Sequence, residues 1–239
     1  MAKMHQTGVS PELIEFMKKR RGSVHVYDSF DPAKTALIVV DMQNAWLMDG
    51  QPAFLECGPG IIPNVNRLAA ALRNAGSMVV WLRNMHSEAK IEAWTNFFDF
   101  FGPNRRERMV AALTEGNIGS QLHADLDIRP EDEIVEKMHY SAFTRGSSDL
   151  EDRLRARGVD TVIICGVATN VCCESSARDA HMLNFRTVVV SDGNATGSDL
   201  LHTGALNGLF AMFADVMTSD EVLARIDVSA APIAQHAAQ

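Results

Sequence analysis

The stretch ICGVATNVCCESSARDA, residues 164–180, places two cysteines side by side just after an apolar run that ends in glycine. A thiol in the first turn of a helix meets free amide donors and the positive end of the helix dipole, which favour the thiolate that attacks carbonyls. Neighbouring helical residues point about 100° apart, so at most one of Cys172 and Cys173 faces a crevice while the other packs as a small hydrophobe. Spacing alone leaves open which one. Asp41 closes the run TALIVVD, where it is either a general base or an ordinary strand-end residue. Lys137 closes DEIVEK, where it either pairs with a carboxylate or snorkels out of the interior. Carboxylate, ammonium and thiol together suffice for nucleophilic attack on a carbonyl.

These three residues meet only if the elements that carry them do. TALIVVD (35–41), MVVWL (78–82), DEIVEK (132–137), TVIICG (161–166), TVVVSD (187–192) and a sixth run, ADVMT (214–218), are apolar on successive residues, as strands covered on both faces are. Helical segments lie between them: 63–75 closing at Gly76, 148–157 closing at Gly158, 170–183 and 198–213. The pattern predicts an α/β fold, a doubly wound, mostly parallel six-stranded sheet with helices on both faces, whose binding crevice lies beyond the carboxyl ends of the strands. Asp41, Asn84, Lys137 and the cysteine pair all fall at that edge. Residues 1–32 read as an N-terminal arm and 33–239 as one domain.

Residues 88–126 are too many for a plain connection. Within them Trp94, Phe97, Phe98 and Phe101 fall at i, i+3, i+4 and i+7, which predicts one face of a helix, serving as core or subunit packing or as a lid over a small planar substrate. Arg105, Arg106 and Arg108 follow, either as a solvated face or with one of them holding a substrate carboxylate.

The 239 residues carry a net charge of −8, a field that repels phosphate backbones and anionic bilayers, so neither nucleic acid nor membrane is an expected partner. No run of about 18 apolar residues is present, and the N-terminus lacks the apolar core of a secretory signal. Cys57, Cys165, Cys172 and Cys173 show no C-x-x-C spacing and are expected as free thiols in the cytoplasm.

TALIVVDMQNAW, KMHYSAF and GVATNVCCESSARDA, in that order, resemble the isochorismatase-like cysteine hydrolases over roughly residues 33–225, and most of all their ureidoacrylate amidohydrolase or ureide hydrolase branch. The resemblance implies that Cys172 is the nucleophile, that Cys173 takes a position usually filled by a small apolar residue, that Asp41 is the general acid and base, and that Lys137 is its cationic partner. It also implies a cis peptide between Val167 and Ala168, with the amides of Ala168 and Cys172 forming an oxyanion hole. The branch that cleaves vinyl ethers lacks the cysteine. The nicotinamidase branch carries an Asp-x-His metal site where this chain reads Asn84, Met85, His86, so no metal and no cofactor are expected.

Asn44, Asn84 and Tyr140 are the polar groups expected around a ureido head; their plainer roles are a helix cap, a strand-end turn and a core tyrosine. The implied activity is cleavage of a C–N bond in a small, ureidoacrylate-like ureido or carbamoyl amide through a cysteine thioester, in a homo-oligomer of two or four chains. The alternatives are a biuret-, triuret- or N-carbamoyl-type hydrolase with a neutral substrate, a nicotinamidase, or a catalytically idle binding protein. The chain departs from the branch in WLMDGQPAF, where a glycine-rich segment is usual, and in residues 88–118; both touch expected pocket walls.

Overall fold

The computed structural model describes residues 3–100 and 102–229, so the final ten residues of the expected domain and Phe101 lie outside the described residues. Strands β1 (Thr35–Val40), β2 (Met78–Asn84), β3 (Glu133–Lys137), β4 (Thr161–Val167), β5 (Arg186–Ala195) and β6 (Asp215–Met217) form one sheet in the order β3-β2-β1-β4-β5-β6. Every pairing is parallel, so the expected "mostly parallel" sheet is wholly parallel among the described residues.

Both faces of the central strands are covered, which is why their sequences do not alternate. Ala36, Ile38 and Val40 of β1 point into one core with Met17, Leu154, Ala177 and Leu209; Leu37 and Val39 point into the other with Val65, Leu68, Leu72 and Val222. The first core is covered by α1 (Pro11–Arg21), α7 (Leu150–Ala156), α8 (Glu174–Met182) and α9 (Asp199–Met212), the second by α3 (Ile62–Asn74) and α10 (Ser219–Ser229). A short α2 (Asn44–Leu47) follows β1. Among the described residues no helix is long and apolar enough to cross a membrane.

The first residues are tied down rather than trailing. His5 bonds Asp199 at 2.6 Å and stacks on His202 with ring centroids 4.1 Å apart, and Ser10 and Asn207 exchange two hydrogen bonds. α1 ends on Gly22 in the left-handed region at φ 85°, a conformation that costs a residue without Cβ little.

The segment after β2 corrects the expectation of one aromatic helix. It breaks into α4 (Glu88–Ala93), α5 (Asn96–Asp99) and α6 (Pro103–Leu113). Trp94 terminates α4 in a non-helical conformation, and Pro103, without a backbone N–H, begins a new helix after Gly102. Trp94 and Phe97 therefore do not share one helix. Trp94 and Phe97 nonetheless meet at 4.8 Å, and both pack on Tyr140. The side chain of Phe98 lies outside what is described.

Candidate active site

The register of the sheet assembles the site. Val40 lies beside Leu82 on one flank and Gly166 on the other, and Asn84 lies beside Lys137, so the ends of β1, β2, β3 and β4 form one edge. Gly166 allows this closeness. Its φ is +117°, and a Cβ there would stand 2.2 Å from the Val40 carbonyl oxygen, a distance no side chain tolerates. Directly after β1 the chain turns at Asp41, whose φ of 51° lies in the left-handed region that aspartate enters more readily than most residues. Its amide donates to the Leu82 carbonyl, which aims the carboxylate over the strand ends. After β4 comes the cis peptide Val167–Ala168, then a π-helical turn, Thr169–Cys173, that leads into α8.

Lys137 joins the cluster together. Its Nζ lies 2.9 Å from Asp41 Oδ2 and donates to Cys172 Sγ at 3.5 Å and to the His139 carbonyl at 3.0 Å. The side chains of Asp41 and Lys137 are fully buried. Burial works against the Lys137 ammonium, but the facing Asp41 and Cys172 outweigh it and hold its pKa above the ordinary lysine value.

Burial pushes the Cys172 thiol up to about 12, with Lys137 pulling against the rise and Asp41 adding to it. The expectation of a thiol acidified by the helix dipole is thereby corrected: desolvation of an anion exceeds what one helical turn offers. Burial thus favours the neutral thiol in the resting protein, which points to loss of the proton as attack proceeds. Cys173 is wholly buried among apolar neighbours, and its thiol is pushed well above its usual range by that burial.

Above the cluster lies a cavity of about 250 Å³ whose wall includes Asn84, Tyr140, Ala168, Asn170, Cys172 and Arg105. Of the residues singled out from sequence, Asn84, Tyr140, Ala168 and Cys172 therefore meet at one cavity. Asn44 does not. It is absent from the cavity wall, its Nδ2 donates to the Ile118 carbonyl at 3.0 Å and its amide to the Gln121 carbonyl, so it clamps α2 to the 118–121 turn. The helix that starts there turns its first side chain inward to the protein rather than toward the cavity.

Gln43, Thr196, Asn170 and Lys90 also border the site and escaped the sequence reading, whereas His86 enters that reading only as a metal ligand. Gln43 grips the Asn84 backbone from both sides, accepting from its N–H at 2.7 Å and donating to its carbonyl at 3.1 Å. Thr196, just past β5, donates to Asn170 across the cavity wall. Lys90 is 2% exposed, and its pKa is lowered to about 7 by burial first and by Lys137 next. His86 is kept neutral, at about 3, by burial with help from Lys90 and Lys137. Thr196 and Asn170 were accessible to the strand-end rule; Lys90, in the charged run HSEAKIEA, reads as a solvated helix.

A doubly wound parallel sheet with this set of residues at its carboxyl edge defines the class of isochorismatase-like hydrolases. Residues 35–221 match the isochorismatase domain, and the chain belongs to that family. It is 33% identical over 205 residues to ureidoacrylate amidohydrolase RutB of Pseudomonas savastanoi pv. phaseolicola, covering 80% of this chain and 82% of that one. It is 32% identical over 213 residues to RutB of Variovorax paradoxus, covering 83% and 81%. Among solved structures, a cysteine hydrolase from Pseudomonas syringae pv. phaseolicola superposes with a TM-score of 0.77 at 29% identity, covering 86% of this chain and 98% of that one. The protein is a hydrolase of the isochorismatase family.

Proposed function

We propose that the protein hydrolyses a small ureido or carbamoyl amide of the ureidoacrylate kind through a covalent acyl intermediate on the Cys172 sulfur, a thioester from an amide and a thiocarbamate from a ureido carbonyl, with Asp41 and Lys137 as its partners. The observation that carries this reading is the position of Lys137 Nζ, 2.9 Å from the Asp41 carboxylate and 3.5 Å from the Cys172 sulfur, beneath a cavity of about 250 Å³. The names of the amidohydrolase relatives favour a ureidoacrylate, and Arg105 on the cavity wall supplies a cation for its carboxylate.

The steps follow from the ionisation states. Cys172 passes its proton to Asp41 as the sulfur bonds to the ureido carbonyl carbon, and Lys137 stabilises the sulfur anion in passing. The carbonyl electrons move onto oxygen, and the backbone N–H groups of Ala168 and Cys172 donate hydrogen bonds to the resulting oxyanion. Collapse restores the carbonyl and breaks the C–N bond, and Asp41 returns its proton to the departing nitrogen. Water, losing a proton to Asp41, then attacks the carbonyl carbon of the resulting S-carbamoyl (thiocarbamate) adduct, and the thiol is regenerated as Asp41 protonates the leaving sulfur. One carboxylate serves both halves. The assembly is a homo-oligomer of two or four chains, in the cytoplasm.

The test is ammonia release from ureidoacrylate, biuret, triuret, N-carbamoyl amino acids and nicotinamide, with mass spectrometry of protein quenched during turnover. Ureidoacrylate is expected to give the highest kcat/KM and an acyl adduct on Cys172. A higher value for biuret or triuret assigns a neutral substrate instead; a higher value for nicotinamide, or turnover with the adduct elsewhere, overturns the proposal.

A further inference from the structure

Asn84 stands where β2 ends and the cavity begins, and almost every freedom it has is removed. Gln43 holds its backbone on both sides. Its side-chain Oδ1 accepts a hydrogen bond from the ammonium of Lys90, a residue that also donates to the Met85 carbonyl at 3.0 Å. Lys90 reaches back over the strand end because Ser87 starts α4 one turn earlier, its Oγ accepting from the Lys90 amide at 3.3 Å. The short helix thus returns a lysine to the strand it has just left and buries it, at 2% exposure, where a solvated charge is the ordinary alternative.

A carboxamide has two ends of similar shape and opposite polarity, and without a partner it can turn either toward a ligand. The Lys90 Nζ carries N–H donors in either charge state, and the one aimed at Asn84 selects the oxygen. We propose that Lys90 is a positioning residue: it fixes the Asn84 carboxamide with Oδ1 turned away from the cavity and Nδ2 turned into it, so that the site offers a donor to an oxygen of the bound amide. The arrangement selects substrates that present an acceptor at this position and disfavours those that present an N–H, because two donors then face each other.

The inference rests on the reading of this cavity as the substrate site, and the experiment separates the two. Lys90→Met keeps the length of the side chain and removes its donors. In ammonia-release assays with the best substrate, Lys90→Met and Asn84→Ala are each expected to lower kcat/KM about tenfold, chiefly through KM, and the double variant to be no worse than either single one. Multiplying effects would show that Lys90 acts independently of Asn84 and would overturn the proposal. If Lys90→Met melts too low to assay, Lys90→Gln enters the same cycle and is expected to cost less in the Asn84→Ala background than in the wild type; equal loss in both backgrounds overturns the proposal.

Should the wild type release ammonia from no amide, the functional reading falls, and Lys90 is judged by labelling of Cys172. Iodoacetamide carries an amide oxygen and methyl methanethiosulfonate carries no amide. Lys90→Met and Asn84→Ala are then expected to slow iodoacetamide severalfold while leaving the other reagent unchanged. Equal slowing of both reagents marks a general electrostatic effect and overturns the positioning role.

Discussion

A thiol with a pKa of about 12 is an unpromising nucleophile until its neighbours are counted. Burial that opposes the thiolate in the resting protein also keeps water from competing with Asp41 for the proton, so the anion forms when a carbonyl is there to receive it. Cys173, one residue on, packs in the core and is wholly buried. Cys172→Ser is therefore expected to lower kcat by at least about 10³-fold. Cys173→Ser is expected to keep most of the activity while losing about 1–3 kcal/mol of stability, because a hydroxyl replaces a thiol at a wholly buried apolar position. Steady-state kinetics beside urea melts measure both; comparable loss of turnover in the two variants would dissolve the division of labour. The doublet and the residue types were legible in the sequence. The ionisation of the thiol was not, because helix position is a local property whereas desolvation depends on residues far away in the chain.

Elements carry the precision of the site. β4 approaches β1 closely only because Gly166 has no side chain, and the Asp41–Lys137–Cys172 spacing follows from that approach. Gly166→Ala would set a Cβ 2.2 Å from backbone oxygen at a φ of +117°. It is expected to destabilise the protein by about 3 kcal/mol or more and to abolish turnover in whatever folded fraction remains. A variant with wild-type stability and rate would show that the strand spacing does not set the site. Strands and flanking helices were readable because their burial imposes a period on consecutive residues. The segment between β2 and β3 was not. Its aromatic spacing fits a helix, but Trp94 and the Gly102–Pro103 junction break it into three, and Lys90 gains its place from a contact back to Asn84 that no periodicity reports.

At the scale of the whole molecule, two buried histidines make stability depend on pH. Burial holds His86 at about 3 and His202 at about 4, below the ordinary 6.5, with Lys90 and Lys137 adding to the effect at the first and His5 at the second. Between pH 6.5 and about 4 the unfolded chain binds protons that folded His202 refuses, so its contribution is present above pH 6.5 and lost as the pH falls through that window. His25 works in the opposite sense, its pKa raised by the hydrogen bond to Asp215, so the comparison must be with a variant. Thermal melts are expected to show the wild type losing Tm faster than His202→Gln between pH 6.5 and 4; parallel curves would mean that His202 takes no part.

Taken by itself, the chain determined that a parallel sheet forms, which residues end its strands, and that a carboxylate, an ammonium and a thiol wait at those ends, since each of these is written in a run of neighbouring residues. Which side chains touch, how dry they are, and which amides face the cavity were decided only when β1, β2, β3 and β4 came together. Distances and desolvation are sums over groups remote in sequence, and so Asn44 turned to a neighbouring turn while Lys90, unremarkable in its own stretch, came to rest beside the site.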